Sequence, residues 1–134
     1  MNRLYLALII GVILGAMHWA IAPFVSDGIE PSYYSGTGFY IGQSVLSIIA
    51  IILGYKHGMK HVLIYVFGVY ISLNLYPVIF YFSKVTVYAV YGLYTTLSFC
   101  LYPFIFGMVG KAVKLGCIKY NKSLKPGTPK GGQQ

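Results

Sequence analysis

Four long apolar runs, separated by short polar segments, make up most of the first 110 residues. Charged residues lie only between or beyond these runs. Each run approaches the ~20 residues that a helix needs to cross the hydrocarbon core of a bilayer. The pattern predicts an all-α integral membrane protein, a four-transmembrane-helix antiparallel bundle, with spans at about residues 4–25, 39–55, 62–82 and 85–109.

The last part of the chain has a different composition. Residues 111–134 are rich in lysine and end in a stretch of proline and glycine. A segment of this kind buries too little apolar surface to order itself, so we expect disorder in its distal part. We therefore predict one transmembrane domain, residues 1–110, followed by a basic cytoplasmic tail.

Composition and charge support a membrane location and indicate an orientation. The chain is 57% hydrophobic and 9% charged, whereas soluble domains carry about 25% charged residues. In a four-span arrangement, Asp27 and Glu30 share one side of the membrane with Lys84 alone. Because cytoplasmic loops are enriched in lysine and arginine, we expect both termini to be cytoplasmic, in a multi-pass protein of the bacterial inner membrane. The nine remaining basic residues lie on that side: Arg3, Lys56, Lys60, Lys111, Lys114, Lys119, Lys122, Lys125 and Lys130.

The basic side also predicts a partner. Lysines at the end of a span are attracted to anionic lipid headgroups in the cytoplasmic leaflet. We expect the lipid bilayer, with anionic lipids at its cytoplasmic face, to be a partner, and no nucleic acid. The residues predicted to contact anionic lipid are Lys56, Lys60, Lys111, Lys114 and Lys119.

A hexapeptide occurs twice in similar form, at 75–80 and at 101–106, each time with proline in its third position. Proline inside a helix removes one backbone hydrogen bond and clashes with the preceding turn. Transmembrane helices tolerate this because neighbouring groups can satisfy the freed carbonyl. The repeat predicts kinks in spans three and four at Pro77 and Pro103.

Small and polar residues recur at helical spacing in every span, which places them on one helix face. Such faces pack helices together, and we assign that role to Gly11, Gly15, Gly54 and Gly92. The hydrogen-bonding side chains gather toward the non-cytoplasmic half, which leaves a second interpretation open: a polar cleft that opens outward. The candidate ligand-cleft residues are His18, Gln43, Tyr70, Asn74, Tyr81, Tyr88 and Tyr91.

We predict no catalytic residues, no metal site and no cofactor. The chain has no HExxH motif, no phosphate-binding loop and no set of nucleophile, base and orienting group. His57 and His61 have the spacing of two ligands on a helix, but no carboxylate or cysteine lies near them in sequence. We therefore expect the protein not to be an enzyme.

The first span carries a short resemblance to a known family. Ile10-Gly11-Val12, followed by His18-Trp19, in a basic four-span chain of this length, resembles the GtrA-like membrane proteins. The resemblance covers about ten residues of that span. It implies a role in moving polyprenyl-linked sugars across the inner membrane.

Two functions remain open at this point. The first is a non-enzymatic, oligomerising or accessory subunit, which associates with itself or with a larger membrane protein. The second is a transporter or flippase for a neutral or lipid-linked headgroup, which uses the outward-facing cleft. Few functional groups inside the spans favour the first function, and the cluster of hydrogen-bonding side chains favours the second.

Overall fold

The computed structural model describes residues 2–25, 37–80 and 85–124. These residues form four α-helices, so the expectation of an all-helical chain is confirmed for this part. The helices are α1 (Arg3–Val25), α2 (Thr37–Lys56), α3 (Met59–Phe80) and α4 (Val85–Leu124).

Helix α4 is longer than the span predicted at 85–109. It continues through Gly110 to Leu124, so the first part of the predicted tail is helical. This continuation agrees with local sequence, because lysine, leucine and alanine favour helix and no proline follows until Pro126. The rest of the tail lies outside the described residues.

Two of the helices are long and apolar enough to cross a membrane. The segments that meet this condition are Gly38–Lys56 and Tyr94–Ser123. Two further apolar stretches are Arg3–His18 in α1 and Met59–Leu75 in α3. Counted over the residues whose side chains are described, each is shorter than the 18 residues that the condition requires.

The four helices pack in a ring in the order α1, α3, α4, α2. The most extensive contacts are those of α1 with α3 and of α2 with α4. Helices α3 and α4 are also neighbours, as are α1 and α2, whereas α2 and α3 meet only slightly across the ring. Within the described ranges α1 and α4 have no contact. The outer surfaces of α1 and α4 therefore face different sides of the molecule.

Contacts along each interface give the helix directions. Gly11 lies against Tyr65 and Gly15 against Ser72, so α1 and α3 run parallel. Thr96 of α4 reaches Asn74 near the end of α3, whereas Gly107 lies against Val62 near its start. Helices α3 and α4 are therefore antiparallel.

The turn between α2 and α3 is tight because Gly58 has a φ of 84°. L-residues with side chains rarely adopt this left-handed conformation. It lets the amides of His57 and Gly58 both donate to the carbonyl of Leu53, at 2.8 and 3.0 Å. Helix α3 then begins at Met59 and returns beside α2.

The core of the bundle is apolar and includes one fully buried tyrosine. Tyr65 donates its hydroxyl to the carbonyl of Leu46, at 3.1 Å, and so joins α3 to α2. Large apolar side chains are exposed on the outer surfaces of all four helices. The largest fully buried side chains are Tyr65, Leu46, Leu73, Val62, Val69 and Pro103.

The two prolines occupy different positions in their helices. Pro103 lies inside α4, and its ring is fully buried. Pro77 lies three residues before the end of α3. Both helices continue past the proline, and the bends at Pro77 and Pro103 stay a prediction. Ser98, which precedes Pro103 by five residues, donates its hydroxyl to the carbonyl of Tyr94 at 3.1 Å.

Candidate functional site

A layer of buried polar groups lies far from the α2–α3 turn. His18 follows Arg3 by fifteen residues, about 22 Å along α1, and Phe39 of α2 packs against its ring. Thr96 and Phe99 of α4 lie in the same layer, because Phe99 contacts Phe39 and Thr96 contacts α3. The buried polar side chains are His18, Gln43, Ser47, Ser72 and Thr96.

His18 sits at the contact between α1 and α2. Its ring lies against the backbone of Gly42, where a side chain on that residue would overlap the Nδ1 atom. The ring of Phe39 meets it edge-on, with centroids 5.4 Å apart. His18 is only 6% exposed, and its Nδ1 has no hydrogen-bond partner among the described residues. The Nδ1 atom is therefore buried without a hydrogen-bond partner among the described residues.

Gln43, the next residue after Gly42, is also buried, and two of its side-chain atoms lack a hydrogen-bond partner among the described residues. It is 7% exposed, and within the described ranges neither its Nε2 nor its Oε1 has a hydrogen-bond partner. An unpaired buried amide costs about 1–3 kcal/mol, so native structures rarely retain one without a reason. Together, His18 and Gln43 offer one donor, one acceptor and one group that can be either.

Asn74 and Thr96, in contrast, satisfy each other. The Nδ2 atom of Asn74 donates to the carbonyl of Tyr70 at 2.8 Å, and the Thr96 hydroxyl donates to Oδ1 of Asn74 at 3.2 Å. This pair connects α3 to α4. Asn74, a predicted cleft residue, thus acts in the helix contact.

Sequence reasoning missed Thr96. It was not among the candidate cleft residues, which in span four were Tyr88 and Tyr91. The buried ring pair was also missed: Phe39 and Phe99 meet with centroids 4.9 Å apart. Only the register between α2 and α4 brings these phenylalanines together, and no single-span pattern contains it.

The remaining cleft candidates are placed as follows. Tyr70 is half-buried and packs against the apolar core. Tyr88 and Tyr91 lie in α4, but their side chains are outside the described part, and Tyr81 is outside it altogether. Of the predicted set, the structure places His18 and Gln43 beside the same residue, Gly42, and pairs Asn74 with Thr96.

The glycines assigned to helix packing lie inside the bundle. An added methyl group at Gly11 would overlap the carbonyl oxygen of Tyr65, and one at Gly15 would overlap the hydroxyl of Ser72. One at Gly54 would overlap the carbonyl oxygen of Gly107. Gly92 belongs to the part of α4 whose side chains are not described.

Basic residues gather at the other end of the bundle, around the α2–α3 turn. The Nδ1 atom of His61 lies 3.1 Å from the carbonyl oxygen of His57, and the two rings are 5.0 Å apart. Among residues 2–25, 37–80 and 85–124, no group of three or more His, Cys, Asp or Glu could hold a metal ion. Lys114 is half-buried, and the other predicted lipid contacts, Lys56, Lys60, Lys111 and Lys119, are exposed.

Comparison with known proteins adds no relative. The chain matches no protein-family model, no curated protein and no solved structure.

Proposed function

We propose that this chain is a four-span integral membrane protein that acts without catalysis, as a small subunit associating with a second copy of itself or with a larger membrane protein. Large apolar side chains are exposed on all four helices, as a lipid-facing surface requires. The termini lie with the basic turn on the cytoplasmic side. The segments around Asp27 and Lys84 lie on the opposite side.

One observation supports association in particular. Tyr94, Ser98 and Tyr102 are four residues apart and share one exposed face of α4, with Tyr94 78% and Tyr102 55% exposed. Tyr102 precedes Gly110 by eight residues, about 12 Å along the helix, and Gly110 itself packs against Ile51 inside α2. The Ser98 hydroxyl donates to the carbonyl of Tyr94 in its own helix. The hydroxyls of Tyr94 and Tyr102 gain more from another helix than from lipid chains, because lipid chains offer no hydrogen-bond partner.

Ser98→Cys tests this face by crosslinking. In a Cys117→Ser background, which removes the exposed cysteine and leaves only the buried Cys100, Ser98→Cys should form a disulfide-linked dimer in native membranes treated with a membrane-permeant oxidant. The matched control is Met17→Cys, since Met17 is 47% exposed on α1, which has no described contact with α4.

The expected result is a dimer for Ser98→Cys and a monomer for Met17→Cys. A heavier crosslinked species containing another protein would identify an accessory role in a larger complex. Equal crosslinking of both variants, or of neither, would contradict association through this face of α4.

A second candidate function has its own support. The unpaired buried atoms of His18 and Gln43 favour a carrier of a neutral or lipid-linked headgroup, which would supply the missing donors and acceptors. The surroundings are the aromatic rings of Phe39 and Phe99, without a described charge beside them. A charged ligand would lose its hydration there without gaining a counterion, so a neutral ligand fits better. This role requires that Gln43 contact the ligand directly.

A further inference from the structure

The basic end of the bundle collects one positive charge or more from each helix. Arg3 begins α1, Lys56 ends α2, and Lys60 lies in the first turn of α3. Helices α1 and α3 run parallel through the Gly11–Tyr65 contact, so both begin at this end. Because Gly110 packs against Ile51, α4 passes the end of α2 a few residues later, where Lys111 and Lys114 lie.

His57 lies at the centre of these charges. Partial desolvation of the ring, followed by the charges of His61, Arg3, Lys56 and Lys114, lowers the pKa of His57 below its ordinary value of 6.5. These neighbours belong to α1, α2, α3 and α4, so each helix contributes positive charge to the surroundings of His57. The ring is exposed and can be reached from outside the bundle.

Residues 2–25, 37–80 and 85–124 contain no aspartate or glutamate that could pair with these charges. The protein has only two acids, Asp27 and Glu30. Both lie in the segment between α1 and α2, which joins the ends of these helices opposite the basic turn. Like charges held together at one end repel one another, and an anion bound from outside would compensate for them.

We infer that the helix ends carrying Arg3, Lys56, His57, Lys60 and Lys114 form a binding site for the phosphate of an anionic lipid headgroup. Guanidinium, ammonium and imidazole groups all donate hydrogen bonds to phosphate oxygens, and charge makes these bonds stronger. The lipid source follows from the position of the site at the ends of α1, α2 and α3, beside the exposed apolar side chains of Leu6, Tyr55 and Leu63. The inference rests on the membrane placement proposed above, but binding is measured independently of topology.

Three lysines further along the chain provide a charge-matched control. Lys122, Lys125 and Lys130 lie eight, eleven and sixteen residues beyond Lys114, and none of them is among the predicted lipid contacts. A site formed by the helix ends depends on the first group of charges far more than on these three. Diffuse attraction between a basic tail and an anionic surface would depend on both groups alike.

The experiment measures lipid retention. Protein in phosphatidylcholine nanodiscs with a minor fraction of phosphatidylglycerol is released and analysed by native mass spectrometry. Wild type and the Lys122→Gln/Lys125→Gln/Lys130→Gln variant should keep phosphatidylglycerol in preference to phosphatidylcholine. The Arg3→Gln/Lys56→Gln/Lys114→Gln variant should bind it about tenfold or more weakly, because it removes three of the cations that attract the anionic headgroup.

Inorganic phosphate added as competitor distinguishes the two sources of the ligand. Displacement of the lipid would show that phosphate alone is sufficient, and retention would show that the lipid chains are needed; both results support the site. Equal loss in both variants, or no preference over phosphatidylcholine, would overturn it. Circular dichroism checks that the triple variant is folded, and the single Lys56→Gln variant replaces it otherwise.

The site also predicts a pH dependence. The lowered pKa leaves His57 neutral at pH 7 when no anion is bound, and a neighbouring phosphate favours the protonated imidazole. Because the protonated form binds the anion better, retention of phosphatidylglycerol should increase as the pH falls below about 6.5. The His57→Gln/His61→Gln variant should lose this increase. Retention by wild type that does not change with pH would exclude a role for the histidines.

Discussion

Gly11→Ala should destabilise the bundle by about 3 kcal/mol, near the upper end of the usual cost of overpacking. An alanine Cβ at this position would overlap the carbonyl oxygen of Tyr65, and the amide of Val69 lies 3.1 Å away. Both neighbours are backbone atoms of α3, so no side-chain rotation can make room. Helices α1 and α3 would have to move apart along their shared interface. The measurement is the thermal unfolding midpoint in a mild detergent.

Gly116→Ala is the matched control. Gly116 also lies in a helix, but no atom lies within 4 Å of the position that a Cβ would occupy. The same substitution there should leave the bundle unchanged or stabilise α4, because alanine favours helix by about 1 kcal/mol over glycine. If Gly11→Ala behaved like Gly116→Ala, α1 and α3 would not approach each other as closely as the structure indicates.

Gln43→Leu should have the opposite effect and raise the thermal midpoint of the ligand-free protein. The change removes two unpaired buried polar atoms at similar side-chain volume, which should gain about 1–3 kcal/mol. The contrasting variant is Thr96→Val. It removes a hydroxyl that donates to Asn74 and should cost on the order of 1 kcal/mol.

The same variant tests the carrier role. If a neutral headgroup contacts Gln43, wild-type protein purified from native membranes should carry a neutral polar lipid, and Gln43→Leu should have lost it. Stabilisation by Gln43→Leu with no lipid on either protein would leave the polar layer as a feature of packing alone. Destabilisation would show that the Gln43 amide has a hydrogen-bond partner in the ligand-free protein. That result would contradict the carrier role, which rests on the unpaired atoms of this amide.

The helices could be predicted from sequence because a long, uncharged apolar run has few stable structures other than a helix. The uncharged run from Phe39 to Tyr55 lies entirely within α2. Helix α4 was predicted too short, since the boundary was placed where the apolar run gives way to lysine at Lys111. Helix propensity continues past that point, although the hydrophobic pattern does not.

The site was predictable only in part, for a physical reason. Periodicity assigns a residue to a face of its own helix, so His18 and Gln43 could be placed on inward faces. It does not give the register between helices, which decides that the His18 ring lies against Gly42 and that Thr96 meets Asn74. Close glycine contacts lie at both interfaces: Gly42 meets His18 between α1 and α2, and Gly107 meets Val62 between α3 and α4.

The central proposal is a four-span protein with both termini in the cytoplasm, and reporter fusions test it most directly. Fusions are placed after Gln134 and within residues 26–38. A reporter active only in the cytoplasm should be active after Gln134 and inactive in the 26–38 segment, and alkaline phosphatase, active only outside, should show the reverse. Cytoplasmic activity in the 26–38 segment, or external activity after Gln134, would contradict the four-span arrangement.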